Sequence, residues 1–349
     1  MDEFSTINTS TAATLKAVVK QGDCPHTLFY GPPGAGKKTL ILAMLRELYG
    51  PSAAKVHVEY KPWKITLPSG STKEIEFATV SSAYHIEINP SDVGTNDRYV
   101  VQEIIKDMAR SRPIGTSGEK TYKILILNEV DKLSKEAQAG LRRTMEKYAS
   151  ACRLVLVCNN VSKVIEPLRS RCLLVRVGAP QAAQCVDLLT KVSTQEGLGV
   201  PSGLINSIVA SSRRNMRRAL LSMEAMAVRA GGDADALTDN TPVIVPDWEM
   251  YLKEIAGDIM RDQSAKNLFV VRGKLYELVV NCIPPEVILR TLVRELCMTL
   301  DDELKRQAVE LAATYEWRLQ QGQKAIFHLE AFVAKFMSVF KNYMVSLMG

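Results

Sequence analysis

Between residues 24 and 177 short apolar runs alternate with longer segments whose apolar positions recur every three or four residues. The runs at 27–30, 84–88, 122–127, 153–157 and 173–177 predict buried parallel strands with amphipathic helices between them, the pattern of an open α/β sheet. Residues 55–60 and 73–77 alternate around Pro68-Ser69-Gly70-Ser71 and predict a hairpin at a sheet edge. After Gly178-Ala179-Pro180 no strand-like run follows. Helical spacing at 181–196, 202–211 and 216–229 predicts a small helical domain, and 231–240 reads as a linker. Helices are then expected at 247–260, 265–281, 285–300, 302–320 and 324–347, with Pro284-Pro285 ending one and starting the next.

Composition changes this picture little. The 349 residues are 46% hydrophobic and 23% charged, ordinary values for globular domains with real cores. A net charge of +6 permits contact with a polyanion without requiring one. The seven cysteines include no C-x-x-C pair, which leaves zinc ribbons and disulfide frameworks without support and favours a reducing compartment. The first ten residues are polar and acidic, and no apolar run reaches the length of a membrane helix, so a cytosolic or nuclear protein without membrane attachment is expected.

The candidate chemistry begins at 31–37. Gly31-Pro32-Pro33-Gly34-Ala35-Gly36-Lys37 follows a strand and opens a helix, the context of a phosphate-binding P-loop. Its glycines let backbone N–H groups turn toward phosphate oxygens, the helix N-terminus adds a positive dipole end, and Lys37 reaches the terminal phosphates. The next position, where a hydroxyl should ligate Mg²⁺, holds Lys38. Thr39 comes one residue late, about 100° round the helix and pointing elsewhere. The second half of such a site is an apolar strand ending in Asp, to hold Mg²⁺, and Glu, to orient the attacking water. Here Leu125-Ile126-Leu127 ends in Asn128-Glu129. With both metal-holding positions altered, nucleotide binding is expected to survive while hydrolysis is feeble, and Glu129 reads either as a vestige of the catalytic role or as a solvated strand-end carboxylate.

The P-loop, Asn128-Glu129-Val130-Asp131-Lys132, the segment 139–146, Cys158-Asn159-Asn160 and Leu168-Arg169-Ser170-Arg171-Cys172 together resemble the AAA+ small subunits of replication factor C, over about 21–335. The resemblance implies an AAA+ P-loop core with a parallel sheet at 1–177, a helical lid and linker at 178–245, and an all-helical collar for oligomerisation at 246–349. It implies ATP or ADP, with Mg²⁺ left open, in a nuclear heteropentamer that opens a sliding clamp and loads it onto primer-template DNA. Variant loaders with a different large subunit are further implied partners. Carried over by position, Gly31, Pro32, Pro33, Gly34, Ala35, Gly36, Lys37, Lys38 and Thr39 would surround the phosphates. Asn159 would contact the terminal phosphate, Arg217 would reach it from the lid, and Arg171 would be an arginine finger serving the neighbouring subunit. Family members begin with a Trp-Val-Asp-Lys-Tyr-Arg-Pro-like box that helps hold the base; residues 1–15 show no counterpart.

A basic stripe of Arg98, Lys106 and Arg110 on one predicted helix suits DNA phosphates at successive turns, although a solvated helix face reads the same way. Arg142, Arg143 and Lys147 add charge on a second helix. Among function classes, a free-standing P-loop kinase leaves the Ser170-Arg171-Cys172 triplet and the helical C-terminus without a role and needs an intact metal site. A silent scaffold that exchanges no nucleotide stays open as the alternative to a nucleotide-binding subunit.

Overall fold

The computed structural model describes residues 7–20, 24–66, 72–90, 97–110, 122–231, 237–239, 241–322 and 324–348. The chain divides into two compact units, Met1–Val243 and Ile244–Gly349.

The first unit runs α1 (Thr9–Lys20), β1 (Thr27–Tyr30), α2 (Lys37–Tyr49), β2 (His57–Thr66), β3 (Thr72–Ser81), β4 (His85–Ile88), α3 (Asp97–Arg110), β5 (Lys123–Leu127), α4 (Lys135–Lys147), β6 (Cys152–Cys158), α5 (Glu166–Arg169) and β7 (Leu173–Arg176). Three helices complete it: α6 (Ala182–Gln195), α7 (Ser202–Ser212) and α8 (Met216–Arg229). The described strands form one sheet in the order β2-β3-β4-β5-β6-β1-β7. All five apolar runs lie in its parallel part, β4 through β7. The hairpin β2–β3 forms at the edge as expected but is longer, with ten residues per strand and Pro62 opposite Glu76.

Side-chain alternation along the central strands builds two apolar layers. On β1, β5 and β6, Leu28, Leu125, Leu127, Leu154 and Leu156 pack with α3 and α4, whereas Phe29, Ile124, Ile126, Val155 and Val157 pack with α1 and α2. Burying such a side chain is worth about 1.5–3 kcal/mol, so the strands are fixed from both faces. Ser134 caps α4 by accepting the Ala137 N–H, and Asn215 caps α8 by accepting the Arg218 N–H. The sequence pattern did not anticipate α1. Its buried positions Ala12, Leu15 and Val19 are separated by Thr, Lys and Ala residues that weaken the periodic signal.

The second unit contains α9 (Asp247–Arg261), α10 (Ala265–Val280), α11 (Pro285–Cys297), α12 (Asp302–Gln321) and α13 (Ala325–Met348). Of the stripe Ile326, Leu329, Val333 and Phe336, the last three are fully buried and Ile326 half-buried. Phe332, Phe336 and Phe340 stack at one-turn intervals along α13, with ring centroids 6.3 and 6.2 Å apart.

Candidate nucleotide-binding site

Three parallel strands deliver their carboxyl ends to one place, the position where open α/β sheets hold ligands. β1 runs into the P-loop, β5 into Asn128-Glu129 and β6 into Asn159. A cavity of about 650 Å³ opens there, lined by Pro33, Gly34, Gly36, Lys37, Lys38, Thr39, Glu87, Asn128, Glu129, Asn159 and Arg217 among others.

The loop needs glycine at two points for different reasons. At Gly31 a Cβ would come 2.0 Å from the Val177 carbonyl oxygen. Gly34 has φ +74°, and a Cβ there would lie 1.7 Å from Asn215 Oδ1. This close approach docks the N-terminus of α8 on the loop, where the Met216 N–H donates to Gly34 O at 3.1 Å. Arg217 is thereby set at the cavity wall, while Arg218 is absent from the lining. Ala35 is buried beneath the loop.

Lys37 donates to Gly31 O (2.6 Å), Pro32 O (2.9 Å) and Asn159 Oδ1 (2.7 Å). Burial lowers its pKa and Arg217 adds to that, against the opposing influence of Cys158 and Asp131. The Asn159 turn is set by Asp131, whose Oδ2 accepts the N–H groups of Asn159 and Asn160. Sequence reasoning assigned no task to Asp131. Glu129 sits in the left-handed region at φ 52°, and its Oε2 is paired with Lys132 Nζ at 2.7 Å.

Glu87 on β4 was also missed. Its carboxylate is almost buried, and Oε1 accepts from both Lys38 Nζ at 2.6 Å and Asn128 Nδ2 at 2.7 Å. Burial holds the nearby His85 below the ordinary histidine pKa, against the opposing influence of Glu87. Residues 37, 38 and 39 all contribute to the cavity lining. The donors do not suit Mg²⁺. The Asp position is an amide, Glu87 and Glu129 are each engaged by an ammonium group, and among the described residues no cluster of three or more His, Cys, Asp or Glu could hold a metal.

Arg171 lies outside this cavity. Its Nε donates to Glu146 Oε1 at 2.7 Å and its Nη1 to Pro167 O at 2.9 Å. The residues of the basic stripe are partly engaged within the chain. Arg98 and Gln102 lie against α4 at Gly140, and Lys106 pairs with Glu103 at 2.6 Å. The Arg110 side chain falls outside the described residues.

None of the seven cysteines, all of them described, is in a disulfide. Burial pushes Cys152, Cys158 and Cys172 up to about 12, leaving about one thiolate in ten thousand near pH 8. Cys282 is exposed. Titration with an aromatic disulfide reagent should therefore show one rapid thiol in native protein, lost in Cys282→Ser, with the buried thiols reacting on denaturation. Rapid reaction of Cys158 would contradict this packing.

The P-loop on a parallel sheet, with a polar residue ending the neighbouring strand and a helical lid docked on the loop, defines an AAA+ P-loop nucleotide-binding protein. Family models agree along the chain: "DNA polymerase III, delta subunit" matches 7–181, "RCF1/5-like, AAA+ ATPase lid domain" 187–228, and "Replication factor C subunit 3, C-terminal domain" 248–344. The chain is 55% identical to replication factor C subunit 3 of Arabidopsis thaliana, covering 97% of this chain and 94% of that protein. It is 53% identical to replication factor C subunit 5 of Oryza sativa subsp. japonica (99% and 96% covered) and 49% identical to replication factor C subunit 3 of Homo sapiens (95% and 91%). The chain belongs to the replication factor C subunit 3/5 family.

Proposed function

We propose that this chain is a nucleotide-binding small subunit of a nuclear replication factor C clamp loader, which opens a sliding clamp and places it on primer-template DNA. In this reading the subunit holds ATP or ADP, hydrolyses it feebly, and contributes Arg171 to a neighbour's site. One observation carries the proposal: Lys37, Asn159 and Arg217 converge on one cavity while Arg171 stands outside it. Lys37, the loop amides, Asn159 and Arg217 would bind the phosphates. Asn128 in place of Asp, and Glu129 held by Lys132, explain why hydrolysis at this site is slow. The exposed Arg98 and the half-buried Lys106 on α3 are the candidates for DNA phosphates in the assembled complex.

Assembly is assigned to the second unit, in which Phe269, Tyr276 and Val280 of α10 recur at helical spacing yet remain more than half exposed. Such a stripe marks a surface that a partner covers. Deleting 247–349 should leave a monomer that still binds nucleotide but no longer joins the other subunits. Stoichiometric incorporation of the truncated chain on size exclusion would defeat this assignment. Native mass spectrometry of complexes captured on the full chain identifies the flanking subunits and any variant loader.

A further inference from the structure

We propose that Lys38 is a resident cation of the nucleotide site, taking the place of a divalent metal, so that nucleoside di- and triphosphates bind here without Mg²⁺. This inference rests on the nucleotide-binding reading above and deepens it.

A P-loop site with its usual acidic strand end would set two carboxylates, one at position 128 and one at Glu87, around a dication. Here position 128 is Asn, which leaves the single carboxylate of Glu87 facing a single ammonium. The two charges cancel, and Glu87 is too deeply buried, with its side chain 8% exposed, to be left without a partner. Asn128 donates to the same Oε1 that receives Lys38, so the amide supports the ion pair where a carboxylate would compete for the ammonium. A dication entering beside Lys38 would meet a like charge, and the other carboxylate lining the cavity, that of Glu129, is already paired with Lys132.

Lys38 follows the phosphate-binding Lys37 directly and lines the same cavity, with its side chain 55% exposed. An ammonium has three N–H donors, and Glu87 Oε1 takes one. The others are available to phosphate oxygens, the same partners a metal would bridge. The two departures at 38 and 128 are therefore one compensated exchange, a metal with its carboxylate replaced by an ammonium with an amide.

The test is calorimetric titration of the full chain with ADP in EDTA and in excess MgCl2. Binding in EDTA should be at least as tight as in Mg²⁺, because the metal-bound nucleotide has to shed its ion to fit beside Lys38. A tenfold or greater loss of affinity in EDTA overturns the proposal while leaving the nucleotide-binding reading intact. Absence of binding in both buffers overturns both. The paired variant Lys38→Thr with Asn128→Asp restores a metal-holding hydroxyl and carboxylate, and should make binding at least tenfold weaker in EDTA than in Mg²⁺. If this variant melts like the native chain and binds ADP equally in both buffers, metal independence does not come from Lys38 and Asn128, and the proposal fails.

Discussion

In a reconstituted complex, Arg171→Ala in this subunit should lower stimulated ATPase by roughly one site's share and depress clamp loading further. The guanidinium is always charged, and its planar fork matches the oxygens of a γ-phosphate. Two of its five N–H donors are occupied, by Glu146 and the Pro167 carbonyl, which fix the side chain while others remain for a neighbour's nucleotide. A finger supplied in trans is worth about 10³ to 10⁵ in rate at the site it serves. Because other sites would keep their own fingers, total ATPase falls only in part, whereas loading that needs the sites in concert falls more. Lys should rescue poorly, lacking the fork. Glu146→Gln should give an intermediate loss by loosening the aim. Measuring DNA- and clamp-stimulated ATPase beside loading decides the matter: native values of both in Arg171→Ala would make Arg171 an ordinary surface charge.

The second large effect is expected at Lys37. Lys37→Ala removes the ammonium that joins Gly31, Pro32 and Asn159, and with it the charge that would neutralise the terminal phosphates. Nucleotide binding by the isolated chain should fall below detection in calorimetry, with little change in thermal stability, because Ala keeps the helical start of α2. The native chain should bind ATP or ADP yet turn over negligibly. A rate approaching the roughly 1 to 100 per second of kinases would show that Asn128 and Lys38 do not impair the chemistry.

Local pattern made most of the scaffold readable. Four of the five apolar runs, β4, β5, β6 and β1, lie inside the sheet with both faces largely buried, β7 was legible as an apolar run although it lies at the edge with Leu173 and Leu174 exposed, and the hairpin announced itself through Pro68-Ser69-Gly70-Ser71. The P-loop could be placed because its glycines, the strand before it and the helix after it coincide. Glu87 could not be placed that way. It sits in a four-residue strand, and its meaning comes from Lys38, 49 positions away, and Asn128, 41 positions away, which only the folded sheet brings together. Asp131 was quoted within a motif, but its role of holding the Asn159 turn depends on a backbone contact 28 residues along the chain.

The two outer strands of the sheet carry a consequence for solubility. An open strand edge is a template on which another chain can pair and aggregate. β2 offers ten residues of edge, with Val58 and Tyr60 well exposed, yet Pro62 removes one N–H from the row and the exposed Glu59 places a charge on it. At the opposite end β7 is four residues long, and α1 reaches across it, with Thr11 and Asn8 side chains donating to the carbonyls of Arg176 and Gly178. Both margins are thus poor seeds for strand addition. In a multi-subunit complex of the replication factor C kind, association would then be left to helix faces and side chains, where selectivity among similar subunits can be encoded.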